Sequence, residues 1–221
     1  MLYVVATPIG NLEDITFRAV DILKTADLIL SEDTRETKKV LDKFSVATPQ
    51  RSYRDQNHTK VIAEVIELLQ QGKNLALVSD SGTPVISDPG YKLVRDVVEA
   101  GIKVESIPGA SALVAANSIS GLPTDKIIFL GFLPKKKNDR IKLLETYGNL
   151  DATLTIYESP FRINAFIEEA FSVLGNRKVC IAKDLTKTFE NVIRGNLAEI
   201  IKGKKLIEKG EYVVLVAKKD I

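Results

Sequence analysis

The chain has 221 residues, a net charge of +2 and 45% hydrophobic residues. This length and apolar content suffice for one large or two small domains with buried cores. A charge so close to neutral does not by itself indicate a nucleic-acid-binding protein. No apolar run has the length of a membrane span and no signal peptide is recognisable, so we expect a cytoplasmic protein without a membrane contact.

The scarcity of cysteine and histidine excludes two kinds of site. Cys180 is the only cysteine and His58 the only histidine, so neither a zinc site of the usual spacing nor a Ser-His-Asp triad is expected. Cys180 lies in a strand-like run and is expected in the core. His58 follows the polar residues Asp55-Gln56-Asn57, and we expect it to face solvent.

Strands and helices alternate through the first half of the chain. The apolar runs predict strands near Leu2–Ala6, Leu28–Ser31, Leu75–Val78 and Val104–Ile107. Helical spacing or helix signals predict helices over Ile15–Thr25, Thr34–Phe44, Val61–Gln71, Tyr91–Ala100 and Ala110–Ser120. Gly72 and Gly101 are typical helix stop signals. This alternation predicts an α/β fold with a doubly wound, mainly parallel sheet.

The break Gly121-Leu122-Pro123 predicts a domain boundary, with an N-terminal domain of residues 1–120 and a C-terminal domain of residues 121–221. After the break, the predicted strands are Ile127–Leu133, Thr153–Tyr157, Val179–Lys183, Val192–Arg194 and Tyr212–Ala217. The predicted helices are Lys137–Tyr147, Ile163–Leu174 and Leu197–Lys202. Since the last strands have short connections, we expect a second α/β domain with a mixed sheet.

Four predicted strands end in small residues beside proline. Their loops are Thr7–Asn11, Ser79–Gly90, Pro108–Ala112 and Glu158–Pro160. Each loop alone fits an ordinary turn as well as a binding platform, but in a parallel sheet the carboxyl ends share an edge and converge on one ligand. The G-x-G-x-x-G and P-loop motifs are absent. Backbone groups, Ser, Thr and Asp suit a ligand with amide, amine and ribose groups better than a polyphosphate.

These loops resemble a known family when they are taken together. The segments LYVVATPIGNLEDITFRAVDILKTADLILSEDTRETKKVL, SDSGTPVISDPG, TIYESPFRI and LTKTFENVIRG are similar to those of the small-subunit ribosomal RNA (cytidine-2′-O)-methyltransferases, which have the tetrapyrrole-methylase fold. The similar segments run in order from residue 2 to about 216, nearly the whole chain. The combination of TPIGN, SDSGTPVISDPG and YESP is specific, whereas no one of them is.

The resemblance implies a methyl transfer from S-adenosylmethionine to the ribose 2′-hydroxyl of a cytidine in the decoding region of 16S rRNA. It also implies a homodimer, a cofactor folded into the cleft between two α/β domains, and RNA presented within the small ribosomal subunit. The cofactor residues that it implies are Pro8, Gly10, Asp80, Ser81, Gly82, Thr83, Val85, Ile86, Pro108, Gly109, Ala112, Tyr157, Leu185, Thr186, Gly210 and Glu211.

Two positions depart from the family pattern. Lys183-Asp184 stands where an Arg-Glu pair is common, which keeps the charges but loses the bidentate guanidinium. Gln56 stands where a histidine is expected. Both departures concern the orientation of substrate more than the cofactor.

Candidate catalytic residues follow the second strand in Ser-Glu-Asp-Thr-Arg. Asp33 is placed to accept the hydroxyl proton or orient the ribose, and Arg35 to bind a phosphate. Lys183 is a second candidate base. The alternative for Asp33 is an acidic helix N-terminus, which the helix dipole favours.

Basic residues provide candidate RNA contacts. They are Arg35, Lys135, Lys136, Lys137, Arg140 and Arg162. A phosphate-binding surface and an ordinary solvated face both fit the lysine run.

Two other functions fit the same residues. One is methylation of a tetrapyrrole or another small molecule, since an acidic substrate also suits basic residues. The other is a ribosome-binding assembly factor without catalysis. The TPIGN and SEDTR stretches favour methylation of RNA.

Overall fold

The structure, a computed structural model, describes residues 1–203 and 205–219. Its contacts divide the chain into two compact units, Met1–Ser111 and Ala112–Ile221. The sequence placed the boundary at 120/121, after the helix of small residues. That helix, Ala112–Ile119, packs against the strand Tyr212–Val216, which groups it with the second unit.

The first unit is a parallel sheet with helices on both faces. Its strands are β1 (Leu2–Val5), β2 (Leu28–Ser31), β3 (Gln50–Ser52), β4 (Leu75–Val78) and β5 (Val104–Ile107), in the order β3-β2-β4-β1-β5. Every neighbouring pair is parallel. The helices are α1 (Phe17–Thr25), α2 (Thr34–Lys43), α3 (His58–Gln70) and α4 (Tyr91–Glu99), and a 3-10 turn spans Leu12–Asp14. The predicted doubly wound sheet is confirmed.

Alternation along the strands builds two separate cores in this unit. Leu75 and Leu77 of β4 pack with α3 and α4 on one face. Ala76 and Val78 belong to the cluster that α1 and α2 complete on the other face. Successive side chains of a strand point to opposite faces, and fully burying a large aliphatic side chain contributes about 1.5–3 kcal/mol. A continuous apolar run therefore fixes β4 at the centre of a sheet covered on both sides.

Local signals set the ends of these helices. The Thr16 hydroxyl accepts the N–H of Ala19 at 3.1 Å before α1, and the Asp33 carboxylate accepts the N–H of Arg35 at 2.9 Å before α2. Gly72 and Gly101 follow α3 and α4 with φ of 84° and 72°. Because residues with a Cβ rarely adopt this conformation, the two predicted stop signals are confirmed.

The second unit is a mixed sheet with most of its helices on one face. The helix α5 (Ala112–Ile119) precedes the strands β6 (Ile127–Phe132), β7 (Thr153–Glu158), β8 (Lys178–Lys183), β9 (Asn191–Asn196) and β10 (Tyr212–Val216), with α6 (Lys137–Gly148), α7 (Ile163–Leu174) and α8 (Leu197–Lys202) between them. The order is β6-β7-β10-β8-β9, in which β6 and β7 are parallel and the other pairs antiparallel. Residues of α6, α7 and α8 share its core, and the predicted mixed sheet is confirmed.

The helices are short relative to a bilayer. The longest, α3, has 13 residues, whereas a membrane-spanning helix needs about 20. Across the described ranges, no helix combines the length and the apolar character that a membrane span requires.

Two features of the first unit differ from the sequence-based expectation. The strand β3 was not predicted, since it is three residues long and polar and forms only by pairing with β2. His58 was expected to face solvent, and this was wrong. It is buried, with Nδ1 3.0 Å from the hydroxyl of Tyr53 and Nε2 3.0 Å from Asp96. These two partners replace the hydrogen bonds to water that the imidazole loses when it is buried.

Replacing His58 with Phe tests this buried link. The ring keeps its approximate size but leaves the buried Tyr53 hydroxyl without its acceptor. We expect the free energy of unfolding to fall by about 1–3 kcal/mol, measured by urea denaturation. Gln56→Ala, at an exposed position in the same segment, is the control and changes stability by less than about 0.5 kcal/mol. Equal stability of His58→Phe and wild type would contradict this role.

Candidate active site

The loops after β1 and β4 are joined by a backbone bridge. Thr7 donates its N–H to the carbonyl of Gly82 at 2.8 Å, and Gly82 donates back to Thr7 at 3.1 Å. The Thr7 hydroxyl also lies 3.2 Å from the carbonyl of Ser79. The connection after β1 continues to α1 and that after β4 to α4, on opposite faces. Ligands of open α/β sheets bind where neighbouring connections diverge in this way.

The predicted cofactor residues of the first unit are gathered at this edge of the sheet. Pro8 and Gly10 follow β1, the loop Asp80–Ile86 follows β4, and Pro108 and Gly109 follow β5. The hydroxyl of Thr83 donates to the carbonyl of Ala110 at 3.2 Å, which links the second and third loops.

The loop after β4 adopts an unusual backbone. Gly82 has φ of 81°, Val85 of 76° and Ser87 of 64°. For a β-branched residue such as Val85 a positive φ is a real outlier, of the kind that clusters at ligand sites. Two glycines also mark tight approaches, because a Cβ on Gly109 lies 3.0 Å from the Cβ of Ala6 and one on Gly82 3.2 Å from Ile9. The loop thus presents backbone groups in a cradle that larger residues would disturb.

Asp33 lies beside this loop in a network of charged groups. Its N–H donates to the carboxylate of Asp80 at 2.8 Å. Its carboxylate accepts two bonds from the guanidinium of Arg35, at 2.7 and 3.1 Å, and lies 3.6 Å from Arg54. The bonds from Arg35 hold the pKa of Asp33 far below its usual value. Asp33 is therefore a fixed anion that orients Arg35, and a weak acceptor for a proton.

Two other carboxyl groups at this edge hold protons more tightly, and the sequence analysis gave neither of them a role. Burial raises the pKa of Asp88 to about 6, and the nearby charges of Glu32 and Asp80 add to the rise. Burial also raises the pKa of Glu32, with Asp80 contributing. Their partial burial depends on the folded loop, so a local pattern gives no signal for it. In residues 1–203 and 205–219, no group of His, Cys, Asp and Glu is arranged to hold a metal ion.

The second unit also gathers its predicted cofactor residues at one sheet edge. Tyr212 at the start of β10 pairs with Glu158 at the end of β7 and Lys183 at the end of β8. Tyr157 lies half-buried beside this edge, and its hydroxyl accepts the N–H of Leu113 at 3.0 Å. Ala112, the first residue of α5, directly precedes Leu113 in the chain. The remaining residues are Leu185, Thr186, Gly210 and Glu211.

Lys183 and Asp184, where the sequence departs from the family pattern, pair with each other. The ammonium of Lys183 contacts the carboxylate of Asp184. Asp184 also accepts the N–H of Glu211 at 3.0 Å, and a Cβ on Gly210 would lie 2.5 Å from the same carboxylate. Lys183 is thus held in an ion pair, which does not suit the predicted role of a base, and the φ of 97° at Gly210 favours glycine there.

The predicted RNA-binding residues fall into two groups. Lys135, Lys136 and Lys137 are exposed. Arg140 is buried and pairs with Glu169 through two bonds of 2.7 and 2.8 Å, so its guanidinium is not available to a phosphate. The sequence pattern of basic residues does not reveal this carboxylate 29 positions away.

Arg162 is also engaged in the fold. It is half-buried and pairs at 2.8 Å with the buried carboxylate of Glu158. The other oxygen of Glu158 has no hydrogen-bond partner among the described residues, and burial raises the pKa of this carboxyl. Arg162 keeps about a quarter of its side chain exposed.

Known proteins resemble the chain in sequence over nearly its whole length. Residues 1–201 match the family of Tetrapyrrole (Corrin/Porphyrin) Methylases. The ribosomal RNA small subunit methyltransferase I of Halalkalibacterium halodurans is 48% identical over 216 residues, 97% of this chain and 75% of that protein. The protein of the same name from Thermotoga maritima is 43% identical over 220 residues, 99% of both chains. The chain belongs to the tetrapyrrole methylase family.

A solved structure has the same fold. A uroporphyrin-III C-methyl transferase from Thermus thermophilus, in complex with S-adenosyl homocysteine, superposes with a TM-score of 0.66 at 19% identity over 97% of this chain and 96% of that one. The predicted tetrapyrrole-methylase fold is confirmed by this likeness and by the two sheets.

Arg140→Ala separates a structural arginine from an exposed basic residue. Breaking a buried ion pair leaves Glu169 as an uncompensated charge, so we expect the free energy of unfolding to fall by about 3 kcal/mol or more. Lys135→Ala, a few residues away at an exposed position, is the matched control and costs less than about 0.5 kcal/mol. Chemical denaturation measures both, and equal losses would contradict the assignment of Arg140.

Asp88→Asn tests the carboxyl with the raised pKa. Between its unfolded value of 3.8 and its folded value of about 6, the folded state binds the proton more tightly, so ionisation above pH 6 destabilises the wild type. The neutral amide avoids this cost. We expect the variant to gain stability over wild type at pH 7.5, and the gain to shrink as the pH falls towards 4. A gain independent of pH, measured by urea unfolding, would contradict the raised pKa.

Proposed function

We propose that the protein transfers a methyl group from S-adenosylmethionine to the ribose 2′-hydroxyl of a cytidine in the decoding region of 16S rRNA. The observation that carries this proposal is the identity of 43 to 48% over nearly the whole chain with proteins named ribosomal RNA small subunit methyltransferase I. The protein is a methyltransferase of the tetrapyrrole methylase family.

The loops at the sheet edge of the first unit suit the amino acid part of the methyl donor. When bound, the donor would supply a methyl group on a positively charged sulfur. As the ribose 2′-oxygen takes that methyl carbon, the carbon–sulfur bond would break, S-adenosyl homocysteine would leave and the hydroxyl proton would pass to solvent. Backbone groups around Gly82 and Gly109 suit its amino acid part, since glycine leaves the N–H and C=O groups of a loop uncovered by a side chain. Within the second unit, the aromatic ring of Tyr157 and the apolar side chain of Leu185 are of the chemical type that binds an adenine ring.

Asp33 and Arg35 orient the RNA in this proposal. The pKa of Asp33 is far below its usual value because of Arg35, so the carboxylate stays ionised and is suited to accept a hydrogen bond from a ribose hydroxyl. Arg35, whose side chain is 85% exposed, has donors left for a phosphate. Holding the 2′-oxygen in line is then the main task of these two residues.

The partners follow from this substrate. We propose that the RNA is presented within the small ribosomal subunit, as splayed single-stranded nucleotides, and that the protein works as a homodimer. Ribosomal RNA is modified where ribosomes assemble, so we place the protein in the cytoplasm.

One experiment separates this function from its alternatives. The protein is incubated with methyl-labelled S-adenosylmethionine and small ribosomal subunits from cells that lack it. We expect label on the 2′-oxygen of a cytidine in 16S rRNA. Label on a tetrapyrrole offered in the same reaction would instead support the activity named for the uroporphyrin-III enzyme of the same fold. Binding to the subunit without transfer would support an assembly factor.

Asp33→Asn tests the orienting role. The amide still caps α2 but weakens the link to Arg35. We expect turnover on small subunits to fall about tenfold or more, as for loss of a positioning group, with little change in the affinity for S-adenosylmethionine. Calorimetry gives the affinity and labelled transfer gives the rate. Unchanged turnover would remove Asp33 from the mechanism.

Replacing Lys135, Lys136 and Lys137 with Ala tests the exposed basic run. If each lysine neutralises one phosphate, the slope of log affinity against log salt falls by about 0.7 per single-stranded contact, or about 2 in total. Fluorescence anisotropy with a labelled 16S-derived RNA measures this slope between 50 and 200 mM salt, a range in which such slopes are resolved. An unchanged slope would identify the run as a solvated face.

A further inference from the structure

We propose that Phe161 and Phe132, together with Lys135–Lys137, form a surface that binds the single-stranded nucleotides next to the target, with the rings stacking on bases and the lysines contacting phosphates. This surface rests on the proposed RNA substrate and names the part of the protein that recognises it. It lies wholly within the second unit, at the carboxyl ends of β6 and β7.

The two rings are exposed although they are large and apolar. The exposed fractions are 79% for Phe161 and 59% for Phe132. Phe132 is the last residue of β6 and Phe161 follows β7 by three positions. Since these strands are parallel neighbours, both rings lie at the same edge of the sheet. Exposed apolar patches that are rimmed by polar groups mark interaction sites, and two exposed rings at one sheet edge supply the apolar surface of such a patch.

The lysine run is linked to these rings by Arg162. Its guanidinium lies 3.3 Å from the carbonyl of Leu133 and 3.4 Å from that of Pro134, between Phe132 and Lys135 in the chain. Arg162 itself follows Phe161 directly. The loop that carries Phe161 is therefore held against the loop that carries the lysines.

Buried carboxylates fix both loops. Glu158 pairs with Arg162, and Glu169 pairs with Arg140, which also donates to the carbonyls of Pro134 and Lys135 at 3.1 and 2.6 Å. The two loops are thus held in place before RNA binds. Ordering their backbone therefore adds little to the entropic cost of binding. This assigns Arg140 and Arg162 a positioning role for the lysines.

Charge decides between RNA and a second copy of this chain as the occupant. In a symmetric dimer both copies use the same patch, so the lysine runs of both copies would be brought into one interface, and concentrating like charges there opposes association. RNA offers phosphates to the lysines and bases to the rings. Aromatic rings beside cations are the usual means of binding single-stranded nucleic acid.

Phe161→Ala tests the surface on small subunits from cells lacking the protein. Loss of one stacked base raises KM for the subunit about tenfold, while kcat and the affinity for S-adenosylmethionine stay at wild-type values. Phe161→Trp keeps an aromatic face and restores KM. Phe17→Ala is the matched control, since Phe17 is 93% exposed and lies in the first unit.

The outcomes distinguish this surface from the function on which it rests. Methyl transfer with the same KM in Phe161→Ala and wild type overturns the surface alone. A change of oligomeric state in Phe161→Ala, seen by light scattering, identifies the face as a contact between copies and also overturns it. No transfer to RNA by the wild type overturns the proposed function and the surface together.

Discussion

The backbone bridge between Thr7 and Gly82 is the constraint on which the candidate site depends. It ties the loop after β1 to the loop after β4 through two hydrogen bonds, of 2.8 and 3.1 Å. The two connections then separate to opposite faces of the sheet. Together with the parallel pairing of β1 and β4 and the bond from the Thr7 hydroxyl to the carbonyl of Ser79, the bridge holds the glycines and polar groups of both loops side by side.

This bridge also explains the composition of the loop after β4. Gly82 pairs with Thr7 while its φ is 81°, a conformation that favours glycine. The strained φ of Val85 follows within three residues, and the folded loop leaves Asp88 half-buried. A raised pKa, a positive φ and a close backbone approach are therefore consequences of one packing arrangement.

Some charged residues of the second unit hold the fold together and others are free to contact a partner, and composition alone does not separate the two groups. Arg140 and Glu169 are buried together, which by itself contributes little net stability because both charges lose their hydration. Their geometric effect is larger, since Arg140 also binds the carbonyls of the loop that carries the lysine run. The lysines are exposed and keep their hydration in the folded protein, so they are the groups suited to contact a charged partner.

The sequence predicted those features that depend on neighbours in the chain. Gly72 as a helix stop, the helix beginning at Thr34 and the central apolar run Leu75–Val78 were all predicted correctly. Loops rich in glycine and proline after strands indicated the correct sheet edge, because strand direction fixes where such loops lie.

The features that were missed depend on residues distant in the chain. His58 is buried because Asp96 accepts from it across 38 positions, and Arg140 because Glu169 lies 29 positions away. The strand β3 is polar and forms only against β2. The raised pKa values of Glu32 and Asp88 arise from burial and from their neighbouring charges. None of these partners can be recognised from the residues next to them in the sequence.

Calorimetric titration of S-adenosyl homocysteine into the wild type and into Gly82→Ala tests the central claim most directly. The account predicts binding by the wild type, and an affinity at least about tenfold lower, or ~1.4 kcal/mol, in a Gly82→Ala variant that circular dichroism shows to be folded. An added Cβ at position 82 would lie 3.2 Å from the side chain of Ile9, and alanine is strained at the positive φ of this residue. No uptake by the wild type, or equal affinity in the two proteins, would contradict the account.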